Sequence, residues 1–477
     1  MKAALSKKDE KFREFSLNGP MWQVILYVCV PLALYQSLTQ LFKILDTMMA
    51  AHISASAVSA VAYLSQINMM LSALGSGLAV GASIKVSEAY GAGDFELVKR
   101  RVSTMFALCA VLGGVLLFIL VPTTPQFLRM MNTPEEFIAE GTTYFILELF
   151  GLVITFFNNV YIAIERARGN SRRILYLNMV VIAIKLGLTA WFVYGLHGGI
   201  NMISAATIIS QSLLLLAAMV NLNQQGNAFG FSLKAISLKR AVVTPMLILS
   251  FPVMVEKIAF SLGKVVINSM STVYGSWTVG ALGISNNISG ITTTPQNGFQ
   301  EGCSAVISQN LGGGKPERAI SAFKWTLGIN IGIGAVLMSV SLLCLDSLSR
   351  FFAGDNARFA SMIAEIYRYE AIAAIPLGIN AAVLGLLYGF GKTRITLFMN
   401  FCRVFVFRIP VLWALQHFTD LGNVSAGIVM AVSNVASGLL AAGIGIMELR
   451  KIYKMYQISR VVPHHFVWHC RFQKNRL

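Results

Sequence analysis

The chain has 477 residues, 56% of them hydrophobic and only 12% charged, with a formal net charge of +17. A globular domain carries about 25% charged residues, so this composition excludes an ordinary water-soluble protein and points to the bilayer. The excess positive charge invites a nucleic-acid partner, but its distribution along the chain excludes one.

Residues 1–20 form a basic N-terminal segment with Lys7, Lys8, Lys11 and Arg13. It has no short apolar region with a small-residue cleavage site, so no cleaved signal peptide is expected. Twelve apolar spans follow, near 21–51, 57–90, 100–122, 137–167, 174–195, 201–221, 243–272, 278–311, 318–345, 360–390, 394–418 and 423–447. Each is long enough to cross ~30 Å of hydrocarbon as a helix. The predicted fold is all-α, a polytopic membrane protein with twelve transmembrane helices in two homologous six-helix lobes. The first lobe covers 21–222, a linker covers 223–242, the second lobe covers 243–447, and a basic tail covers 448–477.

The lobe assignment rests on an internal repeat. Gly81-Ala82-Ser83, Ser87 and Gly91-Ala92-Gly93-Asp94 reappear as Gly302-Cys303-Ser304, Ser308 and Gly312-Gly313-Gly314-Lys315, an offset of 221 residues. The same offset carries Pro31 onto Pro252, Lys43 onto Lys264, Gly77 onto Gly298 and Glu96 onto Glu317. Two such halves form a common plan for secondary transporters, with the substrate site between them. The small residues on one helix face predict close helix packing. Both halves run in the same direction, because an even number of spans separates equivalent points.

Basic residues collect in alternate connections, at the N-terminus, 99–101, 166–173, 234–240, 315–324, 392–394 and from 450 onward. The intervening connections have only Arg129, Arg350 and Arg358 near them. This asymmetry predicts that both termini are cytoplasmic, with contact to anionic lipid. Cys29, Cys109, Cys303, Cys344 and Cys402 lie mostly within apolar segments and read as small core residues rather than a disulfide framework. Gly312-Gly313-Gly314-Lys315 is no phosphate loop, because Pro316 stands where a Ser or Thr would bind Mg²⁺. His464, His465, His469 and Cys470 read as a mobile polar tail, with metal chelation as the alternative. Pro31, Pro252, Pro295, Pro376 and Pro410 mark kinks in apolar helices, as hinges or as static bends.

The paired segments "GLAVGASIKVSEAYGAGD" and "GFQEGCSAVISQNLGGGKPERA" resemble the loop motifs of the multidrug and toxic compound extrusion (MATE) family. "LDTMMAAHI" resembles that family's acidic motif on the first span, and "FRIP" at 407–410 its motif on span 11. The resemblance covers about 20–447 and implies a central cavity and export driven by Na⁺ or H⁺. It places the cation or proton carboxylate on Asp46, where the residues alone also allow an ion pair with Lys43. In the DinF-like branch an Asn and an Asp on span 5 and a Thr on span 6 complete that site. Here those positions fall on Lys185, Thr189 and Thr207. An ammonium beside Asp46 would take the electrostatic place of Na⁺, which favours proton coupling; the alternative is that Lys185 snorkels outward. In the NorM-like branch a Glu on span 7 and an Asp on span 10 line the second lobe. Those positions fall near Phe260 and Leu377, and neither is acidic.

Ionisable residues inside spans are costly and mark sites or partners. Glu256 lies one turn before Phe260, with a cavity role and a structural one both open. Lys43, Glu256 and Lys264 are candidate cavity or substrate contacts. Glu370 and Arg408 are expected to form a structural or gating ion pair, and Glu301 to serve packing or gating. No metal site and no organic cofactor is expected.

Together these readings predict an antiporter that exports small organic compounds from a bacterial cytoplasmic membrane as a monomer. A flippase for a lipid-linked or amphiphilic substrate is the alternative, and a wide basic cavity would favour it. An intramembrane enzyme would need a catalytic pair, and none is present in the sequence. The charge asymmetry predicts that a reporter fused at Gly422 is extracellular and one at Gly313 cytoplasmic; opposite labelling in a topology assay would reverse the orientation.

Overall fold

The computed structural model describes residues 4–50, 55–131, 133, 135–223, 227–354 and 356–461. The described residues form helices α1 (Lys7–Asn18), α2 (Met21–Ala50), α3 (Ala55–Ala92), α4 (Phe95–Leu120), α5 (Thr124–Met130), α6 (Glu135–Ala167), α7 (Ser171–Ala190) and α8 (Ile200–Leu222). The second half contributes α9 (Arg240–Ser271), α10 (Ser276–Gly312), α11 (Pro316–Leu343), α12 (Leu345–Ala353), α13 (Ala357–Ala371), α14 (Ala374–Gly389), α15 (Thr393–Phe401), α16 (Ile409–Phe418) and α17 (Val424–Val461).

Ten helices are long and apolar enough to cross a membrane, and α13 with α14 makes an eleventh span bent by 50°. The bend falls just before Pro376, whose ring clashes with the carbonyl four residues earlier. Helix α10 is the twelfth. It is as long as the others, but Asn286, Asn287, Thr293, Thr294, Gln296, Asn297 and Gln300 make it polar along one side. The outer surface is apolar, with Val111, Phe118, Leu216, Val220, Phe251 and Val336 exposed as lipid-facing residues. Trp191, Tyr194, Trp277 and Trp413 are exposed near the span ends opposite the basic loops, the level at which aromatic rings anchor a bundle.

Within the first lobe α6 packs on α3 and α8, and α7 on α2 and α8. Within the second, α14 packs on α10, α11 and α17, and α13 on α10 and α17. The most extensive helix contacts, however, run between lobes, α3 with α9 and α10 with α2. These two contacts are related by the repeat. A Cβ on Gly77 would lie 2.6 Å from the Met254 backbone, and one on Gly298 2.5 Å from that of Ala33. Gly81 meets the Ser250 backbone, and Gly302 meets Cys29. Gly91 meets the carbonyl of Gln309, and Gly312 that of Glu88. In all three pairs both partners shift by the offset of 221 residues read from the sequence. The hydrogen bonds follow the same symmetry. Ser250 Oγ donates to Leu78 O at 3.1 Å, and Cys29 Sγ to Phe299 O at 3.8 Å.

The N-terminal segment is a helix that covers this seam rather than a free tail. Ser6 caps it, accepting from Asp9 N at 3.1 Å. Arg13 donates to Tyr90 O at 2.9 Å and Gly91 O at 2.8 Å in the first lobe. Ser16 Oγ donates to Gln309 Oε1 at 2.7 Å in the second. Arg318 Nη2 returns to Gly19 O at 2.7 Å, and Lys315 Nζ to Leu17 O at 3.0 Å. Buried Asp9 faces Arg168 at 3.4 Å, which also lies 3.5 Å from Glu165. An ion pair between Arg166 on α6 and Glu301 on α10 crosses the same seam. The linker is likewise packed: Ser232 N and Ser237 N each donate at 3.1 Å, to Ser103 and Thr104 on α4. Helix α17 continues past the expected span end at 447 to Val461, and the His-rich tail lies outside the described residues.

The seam leaves no room for a methyl group at its glycines. Gly312→Ala and Gly91→Ala should each push a backbone carbonyl away and cost ~1–3 kcal/mol of the closed arrangement. Gly114→Ala, with nothing within 4 Å, should cost nothing. Spin labels across α3 and α10 should report a wider distance in the first two variants only.

Candidate functional site

A cavity of about 520 Å³ lies beyond the seam, away from the basic loops. The seam residues on α3 run from Gly77 to Gly91, while Met69, Ser72, Ala73 and Ser76 of the same helix line the cavity. On α10 the cavity residues begin at Asn286 and give way to the seam at Gly298. Most of the described lining comes from the second lobe, with Gln40 of α2 and the α3 residues closing the other side. The described wall is rich in side-chain amides and includes the aromatic ring of Phe260. Among the described lining residues the charged groups are Lys257, Lys264, Arg403 and Arg408 against Glu256 and Glu370.

Glu256 is buried at 5% exposure on α9. Its Oε1 accepts from Tyr388 at 2.6 Å and Asn400 at 2.7 Å, and its Oε2 from Thr396 at 2.7 Å. Hydrogen bonds to a charged group contribute ~1.5–3 kcal/mol each, and three of them hold this carboxylate without a cation at contact distance among the described residues. Glu256 thus ties α9 to α14 and α15 while facing the cavity.

Glu370 and Arg408 are both buried and both line the cavity. The ion pair expected between them is not made at contact distance. Glu370 accepts from Ser285 at 2.5 Å. Arg408 turns to α17, where Nε donates to Ser433 at 3.1 Å and Nη2 to Asn434 Oδ1 at 2.9 Å. Arg403 reaches the same Asn434 oxygen, from Nε at 3.1 Å and Nη2 at 2.8 Å. The backbone explains why the two arginines meet. In an α-helix, positions five apart point about 140° away from each other. Residues Cys402–Val406 form a π turn instead, with Phe407 N bonded to Cys402 O at 2.9 Å. Its wider turn brings Arg403 and Arg408 towards one face. The two like charges repel each other. Phe260 helps to hold one of them, since the Arg403 guanidinium and the Lys264 ammonium each lie 5.2 Å from its ring centroid.

The side chains of Lys43 and Asp46 lie outside the described residues. Lys185 is half-buried on α7, which packs on α2 and α8. Thr189 is fully buried and its hydroxyl meets no partner among the described residues. Thr207 donates back to Ile203 O at 3.1 Å on its own helix. The described lining of the cavity includes none of these three. Phe260 and Leu377, where the resemblance placed acids, do line it, so the positions carry over and the chemistry does not.

Two groups were missed by sequence reasoning. Glu148 on α6 accepts from Asn68 at 2.7 Å and Ser204 at 2.8 Å, forming a polar cluster inside the first lobe. It is an acid within the apolar run "FILELFG", and the rule applied to Glu256 would have found it. Arg403 carried the same signal in "FCRVFVFRIP".

The MatE family model matches residues 31–191 and 252–414, two segments that begin one repeat offset apart. The chain is 23% identical to the probable multidrug resistance protein YoeA of Bacillus subtilis, over 93% of this chain and 96% of that one. It is 21% identical to the probable multidrug resistance protein NorM of Thermotoga maritima, over 82% and 85% of the two chains. Among solved structures, an outward-facing multidrug resistance MATE family transporter aligns with a TM-score of 0.87 at 19% identity, covering 94% of this chain and 99% of that one.

The bonding of Glu256 yields a stability prediction. Tyr388→Phe removes one donor and should cost ~1–3 kcal/mol. Glu256→Gln should cost as much or more, because the new amide N–H faces donors that need an acceptor. Thermal unfolding of the purified variants measures both, and unchanged midpoints would show that the network carries no stability.

Proposed function

The chain belongs to the MatE family, and on that premise we propose that it is a secondary antiporter exporting small organic compounds in exchange for protons. The family carries the coarser statement, a multi-pass membrane transporter of the multidrug type. The observation that supports the export reading is the polar cavity set against a shut, pseudo-symmetric glycine seam. Opening the seam and closing the far side would expose the cavity alternately to the two faces of the membrane. The lobes would rock about the contacts of α2 with α10 and α3 with α9.

Positive-inside asymmetry makes the basic face cytoplasmic, with both termini there and a bacterial inner membrane as the setting. The arrangement then corresponds to a state open away from the cytoplasm. Ion binding in the first lobe would favour whichever state it holds more tightly, and only that difference shifts the equilibrium. Asp46 is the proposed coupling carboxylate, with Lys185, Thr189 and Thr207 around it. A lysine in place of the cation-binding amide argues for H⁺ over Na⁺, and no organic cofactor is invoked. The working unit is proposed to be a monomer in contact with membrane lipids. The excess of cations among the described lining residues favours a second reading, a flippase for a lipid-linked or amphiphilic substrate.

Purified protein in vesicles, with a pH gradient and a Na⁺ gradient imposed separately, tests the coupling. Export driven by the pH gradient and indifferent to Na⁺ is expected, with Asp46→Asn folded but largely inactive. Strong Na⁺ stimulation, lost in Asp46→Asn, would show Na⁺ coupling and place Lys185 away from the site. Parental export by Asp46→Asn would move the coupling group elsewhere, with Glu256 next in line.

A further inference from the structure

We propose that Arg403 and Arg408 form an oxyanion-binding site in the second-lobe cavity, so that the transported compound carries a carboxylate or phosphate group. The inference rests on the exporter reading only for the purpose of the binding, not for the binding itself.

The two guanidinium groups converge on a single neutral acceptor. Asn434 Oδ1 receives Nε and Nη2 of Arg403 and Nη2 of Arg408, at 3.1, 2.8 and 2.9 Å. An amide oxygen has two lone pairs, so three donors over-subscribe it. Neither Nη1 has a hydrogen-bond acceptor among the described residues, and both arginines line the cavity. Each guanidinium therefore keeps donors in the fork geometry that matches a carboxylate or phosphate.

Among the described residues no acid makes an ion pair at contact distance with either arginine. Glu370 lies within electrostatic reach, but its carboxylate accepts from Ser285. Glu256 is held by Tyr388, Thr396 and Asn400. Lys264, which also lines the cavity, adds a further cation at Phe260, the ring that also lies beside Arg403. A structural arginine pair in a low-dielectric interior ordinarily comes with a carboxylate. Here the one described carboxylate in electrostatic reach of both, Glu370, makes no ion pair at contact distance, and both arginines line the cavity, where an anion supplied by the substrate would complete the pairing. Phe260 offers an apolar surface beside the anion for the rest of the molecule. The amide-rich wall of α10 would meet further polar groups of the substrate without selecting for positive charge.

Asn434→Asp is the decisive variant. It keeps the shape of the side chain, strengthens both arginine contacts and supplies the missing negative charge from within. Binding is measured on the full-length protein in detergent, with no gradient, using a fluorescent aryl carboxylate and the aryl phosphate monoester. The amide and quaternary ammonium analogues of the same aryl group serve as matched controls. The parent protein should bind both anions at least tenfold more tightly than the amide or the ammonium compound. Asn434→Asp should lose at least tenfold in anion affinity while its Tm stays the same or rises. Arg403→Gln, which removes one fork, should lose anion affinity by a similar factor. Preference of the parent for the ammonium compound, or anion affinity unchanged in Asn434→Asp, would overturn the proposal. The source of the anion is read in a second arm. Displacement of the aryl phosphate by a short-chain anionic phospholipid, but not by soluble organic anions, would assign the site to a lipid headgroup; the reverse would assign it to a soluble compound. Anion binding that passes these tests in a protein that moves nothing across vesicles would refute the exporter reading and leave the site standing.

Discussion

The close approach of backbone to backbone along the seam between the lobes is the constraint on which the rest depends. Gly77, Gly81 and Gly91 on α3, and their counterparts on α10, let helices from opposite lobes touch without intervening side chains. Without water, apolar burial gives helices in a bilayer little reason to associate, so such contact and the polar bonds beside it do the holding. The symmetry of the contacts means that opening the seam breaks both halves together. It also means that the hydrogen bonds from Ser250 to Leu78 and from Cys29 to Phe299 sit at equivalent hinge-side positions.

Around that seam the polar interactions are arranged by position. On the basic face, α1 bonds to both lobes and the pair of Arg166 and Glu301 crosses between them, so closure there uses charge near water. Toward the cavity the bonds stay within the second lobe and join α9, α14, α15 and α17. That lobe is thereby stiffened around its charged groups, while among the described residues few polar bonds cross the cavity itself. Gln40 to Asn287 O, at 3.5 Å, is one of them, and it is long. Such an arrangement suits lobes that part at the cavity while each keeps its own packing.

The π turn at Cys402–Val406 links local backbone to chemistry. It rotates Arg408 onto the face that Arg403 occupies, and both then reach one residue of α17. The expected partner, Glu370, comes from the broken span of α13 and α14, which is bent by 50°. Bend and π turn together decide which acid and which base meet. Neither follows from the depth of a residue along a straight helix.

Much of the architecture was legible in the chain itself. Hydropathy marked the spans because a bilayer admits few chain conformations that satisfy their own backbone hydrogen bonds. The repeat of 221 residues marked the two lobes and the small-residue faces that pack together. Glu256 and Lys264 stand out in the sequence as candidate cavity groups, because an ionisable residue in an apolar span has few other places to go. The tertiary structure decided what such groups meet. That the N-terminus forms a helix across the seam depends on polar contacts with loops far away in sequence, which no local pattern records. The sequence alone therefore determined the spans, the lobes and the asymmetry of charge, all set by transfer of side chains and backbone into lipid. Only the tertiary structure decided that two arginines share one asparagine. That outcome depends on helix rotation, bend and crossing, to which hydropathy is blind.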